Sequence, residues 1–393
     1  MDPVRTHFAS SGSVVAMRLA LGIAFSLVAA CTLRAQAAIP TFDVREEIRI
    51  QSNDTVPGML LTGVEDLTVL PDGRIVTSHP RESVVRVFDP SGRLLRILGG
   101  PGDGPGEFRS VRQVGYAGDR IWAEEIGRGY HVFDVRTYEP KGRISRGPTS
   151  GNFAGLTSDS TSFHYTGVDD STRLSIYDRA GERRMAIDLA IRQAGHHFEV
   201  PWSEISPGGF LTGRTVPVTR YSPLRVLTRI ALAPGGQEII VLEASELWKG
   251  PPGHFTIRRI PTATGRISSP VTVVLPVRRV TASEADSLIK RSAPRVRAPR
   301  DEKTAEAYKA KAKVPPIYPA FEYFTPSPDG VLWVAEYAKP DSRLVVDPAG
   351  KPLMRVRLPS GFRVIAVSRT HVWGVTQDAD DLPIISRYRV IPT

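Results

Sequence analysis

The stretch Val84–Phe108, "VVRVFDPSGRLLRILGGPGDGPGEF", decides the fold. Its first half alternates apolar and polar residues, turns at Gly92, and alternates again. Period-two alternation marks a half-buried strand. A glycine in the turn supplies a positive φ without steric cost, so the phrase reads as a β-hairpin. The second half, Ile97–Phe108, crowds Gly, Pro and acidic residues together. A phosphate-binding loop needs consecutive backbone N–H donors and opens a helix. Here Pro101 and Pro105 each remove a donor, no Lys follows, and the next segment alternates as a strand. A calcium loop of the EF-hand kind needs regularly spaced oxygen ligands and a terminal Glu. Asp103 and Glu107 alone do not meet that pattern. The stretch therefore reads as a connector between two sheet units, with Phe108 anchoring the second unit in the core between them.

The hairpin phrase recurs along the chain with turn glycines at Gly92, Gly142, Gly181, Gly265 and Gly350. A polar turn followed by an alternating strand precedes most copies, as in "PDGRIVTS" from Pro71 and "PDGVLWVAE" from Pro328. Each unit reads as three or four antiparallel strands over roughly 40–50 residues, the size of a propeller blade. Two glycine spacings are one unit long and two are about double. The first long gap holds His196–Leu224. Its "SPGGFLTGRT" could add a strand and raise the count to seven, but no second hairpin phrase accompanies it, which favours an elaborated connection. The second long gap, about 281–313, is rich in Ala, Lys and Glu, and Thr281 with Glu284 has capping-box spacing. It predicts two short helices, near 281–292 and 301–312, either packed on a blade edge or forming a basic docking arm or lid. Nine Lys/Arg oppose five Asp/Glu there.

The chain ends one strand short of a unit, with strands near Val364–Val367, His371–Thr376 and Ile384–Val390. "TFDVREEIRIQS", Thr41–Ser52, is an unassigned strand at the start, and it can complete the final unit and cover its edge. The expected fold is all-β: a single six-bladed β-propeller over 42–393, with seven blades as the variant count, a terminal strand closing the last blade and a short helical insertion.

Residues 1–37 read as a signal segment. From Met17, one Arg precedes an apolar run, Leu19–Ala30, too short to span a bilayer comfortably. A start at Met17 gives a more typical signal than one at Met1. Ala35-Gln36-Ala37 fits the A-x-A rule, with cleavage between Ala37 and Ala38. The only cysteine, Cys31, follows "LVAA" in a pattern like a bacterial lipobox, which offers lipidation at Cys31 as the competing outcome. Either route leaves no disulfide, so the core alone must hold the fold. The expectation is export to the periplasm, the outside, or a lipid-anchored position. Net charge is +10 for the whole chain and +8 without residues 1–37. An exported basic protein is not expected to meet nucleic acid, whereas anionic lipid or polysaccharide surfaces suit it better.

The phrase "GPGDGPGEF", followed by a strand and then by the "DRIW" strand, resembles the inter-blade segment of NHL-type six-bladed propellers. It is more specifically similar to exported bacterial six-bladed propeller proteins, many of them lipoproteins. These also carry a charged helical insertion before a segment much like "PPIYPAFEYFTPSPDGVLWVAEY". The resemblance covers about residues 42–391 and implies architecture more than activity. Some six-bladed propellers are metal-dependent lactonases or esterases that hold calcium or zinc in the central channel. On that analogy Glu65, Asp66 and Glu322 are the candidate channel acids, beside Arg112, Arg229 and Arg363. Asparagine ligands are usual in that class, and only Asn53 and Asn152 are present. Residues for other chemistry are not assembled. There is no G-x-S-x-G elbow and no H-E-x-x-H. His196 and His197 are adjacent, so on a strand they face opposite sides. The expected function is a monomeric, non-enzymatic cell-envelope binding protein for a protein, peptide or glycan, without cofactor. The alternative is a calcium-dependent hydrolase with its site in the channel.

Overall fold

The computed structural model describes residues 39–144, 152–159, 161–168, 171–189, 197–205, 211–224, 228–244, 253–296, 299–337 and 339–393. Cys31, Ala37, Ala38 and the whole signal segment lie outside them, as does His196. One compact unit spans Thr41–Thr393. It begins with β1 (Thr41–Ile50). A four-stranded sheet follows, formed by β2 (Leu67–Val69), β3 (Ile75–His79), β4 (Val84–Phe88) and β5 (Leu94–Gly99). The second holds β6 (Val111–Ala117), β7 (Arg120–Glu125), β8 (Gly129–Asp134) and β9 (Pro140–Ile144). The third holds β10 (Asn152–Leu156), β11 (Ser162–Val168), β12 (Ser171–Tyr177) and β13 (Arg183–Leu189). Next comes a hairpin, β14 (His197–Ile205) with β15 (Leu211–Tyr221), paired only with itself among the described residues. The fourth four-stranded sheet holds β16 (Arg229–Leu232), β17 (Glu238–Ala244), β18 (His254–Pro261) and β19 (Val271–Val274). Helices α1 (Ala282–Ser292) and α2 (Pro299–Lys311) precede the remaining strands. These are β20 (Tyr323–Pro326), β21 (Leu332–Ala335), β22 (Ser342–Val346), β23 (Pro352–Arg357), β24 (Arg363–Val367), β25 (His371–Gln377) and β26 (Pro383–Pro392).

The arrangement is propeller-like. Within each four-stranded sheet the strands pair antiparallel in chain order. The first strands of successive sheets lie against one another: β2 on β6, β6 on β10, β10 on β16, β16 on β20, β20 on β24, and β24 back on β2. The last seven strands and β1 form one eight-stranded sheet, in the order β20-β21-β22-β23-β1-β26-β25-β24. As the sequence implied, β1 pairs antiparallel with β26, from Phe42 opposite Pro392 to Ile50 opposite Ile385. It does more than complete that final set. Thr41 and Phe42 also pair in parallel with Arg355 and Val356 of β23, which joins two sets of strands into one sheet.

Local chemistry makes the hairpins. In the first sheet, Gly92 (φ +92°) donates its N–H to the Asp89 carbonyl at 3.0 Å. The Asp89 carboxylate accepts from the N–H groups of Ser91 and Arg93, both at 2.9 Å. The same device recurs at Asp178 with Gly181 and at Asp347 with Gly350. In the last set of strands the acceptor is Asp378 and the left-handed position is Asp381 (φ +60°), a hairpin that a search for glycine does not find.

Phe108 is fully buried in a cluster with Val85, Val87 and Leu98 of the first sheet and Val111, Val114 and Phe133 of the second. The connector before it is tied to itself. The Phe108 N–H donates to the Gly100 carbonyl at 2.8 Å, and Gly104 N–H donates to the Glu107 carboxylate at 2.8 Å. Asp103 accepts from Arg109 at 2.6 and 2.7 Å and from Arg128 at 2.5 Å, which holds its carboxyl at about 2, well below the usual range. The acids of this loop are engaged in structure.

The helices begin as expected. Thr281 and Glu284 form the reciprocal capping box, with Glu284 accepting from the Thr281 N–H at 2.9 Å. Their packing differs from the expectation of a helix laid on a blade edge. Helix α2 covers the β14–β15 hairpin. Thr304 Oγ1 donates to the Pro201 carbonyl at 2.6 Å, Tyr308 Oη to the Tyr221 carbonyl at 3.0 Å, and Lys311 Nζ to the Glu199 carbonyl at 2.8 Å. Val200, Tyr308 and Ala312 share a small core, with the Phe198 and Tyr308 rings 5.3 Å apart. The first long gap is thus an elaborated connection, as expected, rather than another four-stranded sheet among the described residues. It is a hairpin, and it joins the second insertion in one satellite structure.

Candidate functional site

The first strands surround a cavity of about 530 Å³. Its wall takes Leu67–Pro71 from the first sheet, Gln113–Tyr116 from the second and Leu232–Gly236 from the fourth. Leu156, Thr325, Pro326 and Ile365–Ser368 complete the circle. Trp122 and Trp373 also border it. Proline and glycine are frequent in this wall because the turns after the first strands converge there. Gly236 (φ +75°) shows how closely: a Cβ at this position would lie 2.4 Å from the Leu156 carbonyl oxygen. The Gly236 carbonyl in turn accepts the Ser158 N–H at 3.0 Å, which links the third and fourth sheets.

Two carboxyls line this cavity, Asp66 and Asp329; Asp329 is exposed and accepts the Arg369 N–H at 2.9 Å, whereas Asp66 sits deeper in the wall. Asp66 immediately precedes β2, and its carboxylate accepts the Val114 N–H of β6 at 3.0 Å. Its own N–H donates to Ser78 Oγ at 3.0 Å, and Ser78 Oγ donates to the Arg112 carbonyl at 2.5 Å. Burial pushes the Asp66 carboxyl up to about 6, against the lowering pull of the Val114 and Leu67 N–H groups. A carboxyl with that pKa switches between hydrogen-bond donor and acceptor near neutral pH. Burial also pushes the Tyr116 phenol up, so the hydroxyl stays protonated.

The other channel residues named from sequence do not converge on one point. Arg363, at the start of β24, donates to the Glu65 carbonyl at 2.8 Å and the Val64 carbonyl at 2.6 Å. Arg112 lies 3.9 Å from the Glu65 carboxylate, both side chains being half exposed. Arg229 donates to the Glu322 carbonyl at 2.8 Å, so Glu322 is used through its backbone. These arginines staple neighbouring sheets at the entries of their first strands. Beside Glu65 and Arg363 a second cavity of about 510 Å³ opens, also bordered by Arg81 and Asp381. Among the described residues, no group of three or more His, Cys, Asp or Glu is placed to share an ion.

Two further polar clusters were not visible in the sequence. Glu125, 1% exposed, accepts from His131 Nε2 at 2.9 Å, from Arg143 at 3.1 Å and from the Arg109 N–H at 3.0 Å. Burial alone would raise its pKa, but these donors hold it below the ordinary range. Burial keeps His131 below its ordinary value, and the Arg143 charge adds to this against Glu125. His131 also stands edge-on to Phe108, 4.8 Å between ring centroids, so the cluster pins the Ile97–Phe108 connector. His79 is fully buried and Nε2 lies 2.8 Å from Thr77 Oγ1; burial drives its pKa down to about 3, leaving a neutral ring. Of the sequence-singled residues, Asn53 sits in a turn where its side chain accepts from the Thr55 N–H at 3.0 Å. Tyr116, Trp122 and Trp373 were missed as cavity residues. A usable signal for Trp122 and Trp373 is their place in the "GDRIW" and "THVW" phrases, beside the first strand of each set.

No protein-family description matches this chain, and no curated protein matches it.

Proposed function

We propose that the chain is a six-bladed β-propeller exported to the cell envelope, where it acts as a binding protein whose ligand enters the central channel. The eight-stranded sheet then counts as two blades linked through β1, and the cyclic contact of β2, β6, β10, β16, β20 and β24 supports that count. The likeness to exported NHL-type propellers and the signal-like residues 1–37 support the location. The observation that carries the binding role is the cavity of about 530 Å³, within the usual range for small-ligand sites. It is mostly apolar wall with few directional groups, of which the Asp66 carboxyl is the strongest. That composition suits a ligand fixed by burial and one or two hydrogen bonds.

Native mass spectrometry of protein purified from an envelope fraction tests the channel. A bound small molecule should be present in the wild type and absent from Thr325→Trp, whose indole would narrow the cavity from its wall. Retention of the molecule by the folded variant would refute channel binding. Elemental analysis addresses catalysis: a stoichiometric metal together with lactone or ester turnover would replace the binding role with a hydrolase. Mass spectrometry of the mature N-terminus separates a diacylated Cys31 from a free Ala38, and an intact residue 1–37 segment would refute export.

A further inference from the structure

The satellite structure holds a cavity of its own, about 640 Å³, between the β14–β15 hairpin and the two helices. It stands apart from the channel residues and does not depend on the channel reading. Three aromatic residues border it: Trp202, Tyr221 and Tyr308. Two arginines border it as well, Arg220 from β15 and Arg295 from the segment between the helices.

The arginines distinguish this cavity. Elsewhere the described arginines are commonly tied to carboxylates, as Arg355 is to Glu336 at 2.8 and 3.0 Å and Arg357 to Asp43 at 2.7 and 2.8 Å. Among the described residues neither the Arg220 nor the Arg295 side chain has an ion pair or a hydrogen bond. The Arg220 guanidinium lies 5.2 Å from the Trp202 ring centroid, and its Nε is buried with no hydrogen-bond partner. A buried charged donor left unmatched is costly unless an acceptor arrives. The walls meanwhile are held in place: Tyr308 Oη is fixed on the Tyr221 carbonyl at 3.0 Å, and Ser222 Oγ accepts the Lys313 N–H at 2.9 Å. Tyr221 is 45% exposed at the rim.

We propose that this cavity binds a short carboxylated oligosaccharide, of the uronic-acid type. The planar guanidinium forks match a carboxylate in bidentate geometry. The aromatic walls receive the C–H faces of sugar rings. Asp301 and Ser292 are also on the lining. An acidic peptide offers the same charge but no flat C–H face to lay on Trp202 and Tyr308. The surplus of basic residues over 281–313 gives such a polyanion a favourable approach.

Isothermal titration with trigalacturonate, with maltotriose and triglutamate as comparisons, tests this on the whole folded chain. Trigalacturonate should bind with an affinity that falls as salt rises, and maltotriose should not bind. Arg295→Gln and Arg220→Gln, each checked for native circular dichroism, should weaken binding roughly tenfold or more. Arg295 is exposed, so its loss does not threaten folding. Thr325→Trp should bind trigalacturonate as the wild type does. Four results would overturn the assignment: no binding up to millimolar trigalacturonate, equal affinity in both arginine variants, triglutamate binding as tightly, or loss of binding in Thr325→Trp.

Discussion

Replacing Asp66 by Asn should stabilise the protein at neutral pH. The residue is half-buried in the cavity wall, and loss of water around its carboxyl pushes the pKa up to about 6 from 3.8. The sign follows from where each state releases its proton. Below about pH 4 both the folded and the unfolded chain hold it, and the charge costs nothing. Between about 4 and 6 the unfolded chain ionises while the folded one stays protonated, so stability falls as pH rises. Above about 6 both are ionised and the full penalty is present. At about 1.36 kcal/mol per unit, the rise comes to about 3 kcal/mol. An Asn keeps an oxygen to accept the Val114 N–H and carries no charge, so it removes the penalty. Urea unfolding of both proteins from pH 3.5 to 8 is the assay. The variant should be ahead by about 3 kcal/mol at pH 7.5, a gain of about 4 °C in Tm for a domain this large. The two curves should converge near pH 4. A gap that stays constant with pH, or a variant less stable throughout, would refute the desolvated ionisable carboxyl.

Phe108→Ala should cost about 3–5 kcal/mol by chemical denaturation, because the ring is fully buried where the first two sheets meet. Glu125→Gln should destabilise by about 1–3 kcal/mol, since the amide keeps one oxygen for the Arg109 N–H but loses the charge and the second oxygen that accepts from His131 and Arg143. The wild type should also lose stability as pH falls below the ordinary glutamate range, and the variant should show a flatter acid limb in thermal melts. Gly236→Ala, at φ +75° and against the Leu156 carbonyl, should lower stability by about 1–3 kcal/mol, measured by the same melts. Deleting residues 41–50 should expose the long edge of β26 and yield aggregates on size-exclusion chromatography.

What could be read in the sequence was what local chemistry decides. The hairpins at Gly92, Gly181 and Gly350 follow from an Asp acceptor and a left-handed glycine a few residues apart. The α1 start follows from Thr281 and Glu284. The closing strand was legible because Thr41–Ile50 alternates and the C-terminal strands lack a partner. The hairpin at Asp378–Asp381 shows the limit, since an aspartate took the glycine position. The pairing of α2 with β14–β15 was beyond reach, because Thr304 meets Pro201 and Tyr308 meets Tyr221 across about a hundred residues of chain. The channel acids fared unevenly for a related reason. Glu65 and Asp66 are neighbours, yet one points to solvent and arginine while the other turns into the cavity wall and accepts the Val114 N–H. Alternation predicts that they differ but not which one turns inward.

The pairing of β1 with β26 also sets the order of events as the chain is made. Ser386 Oγ donates to the Glu46 carboxylate at 2.6 Å, across 340 residues of sequence. A chain that emerges amino end first therefore carries Thr41–Ile50 unpaired until nearly all of it has been delivered. Closing so long a loop is an entropic barrier, and contacts of this separation slow folding. The intermediate sheets can form as they appear, while the ring stays open like an unlatched bracelet. Arrest of synthesis or delivery even a few residues early would leave two strand edges exposed at once, one at each end of the chain.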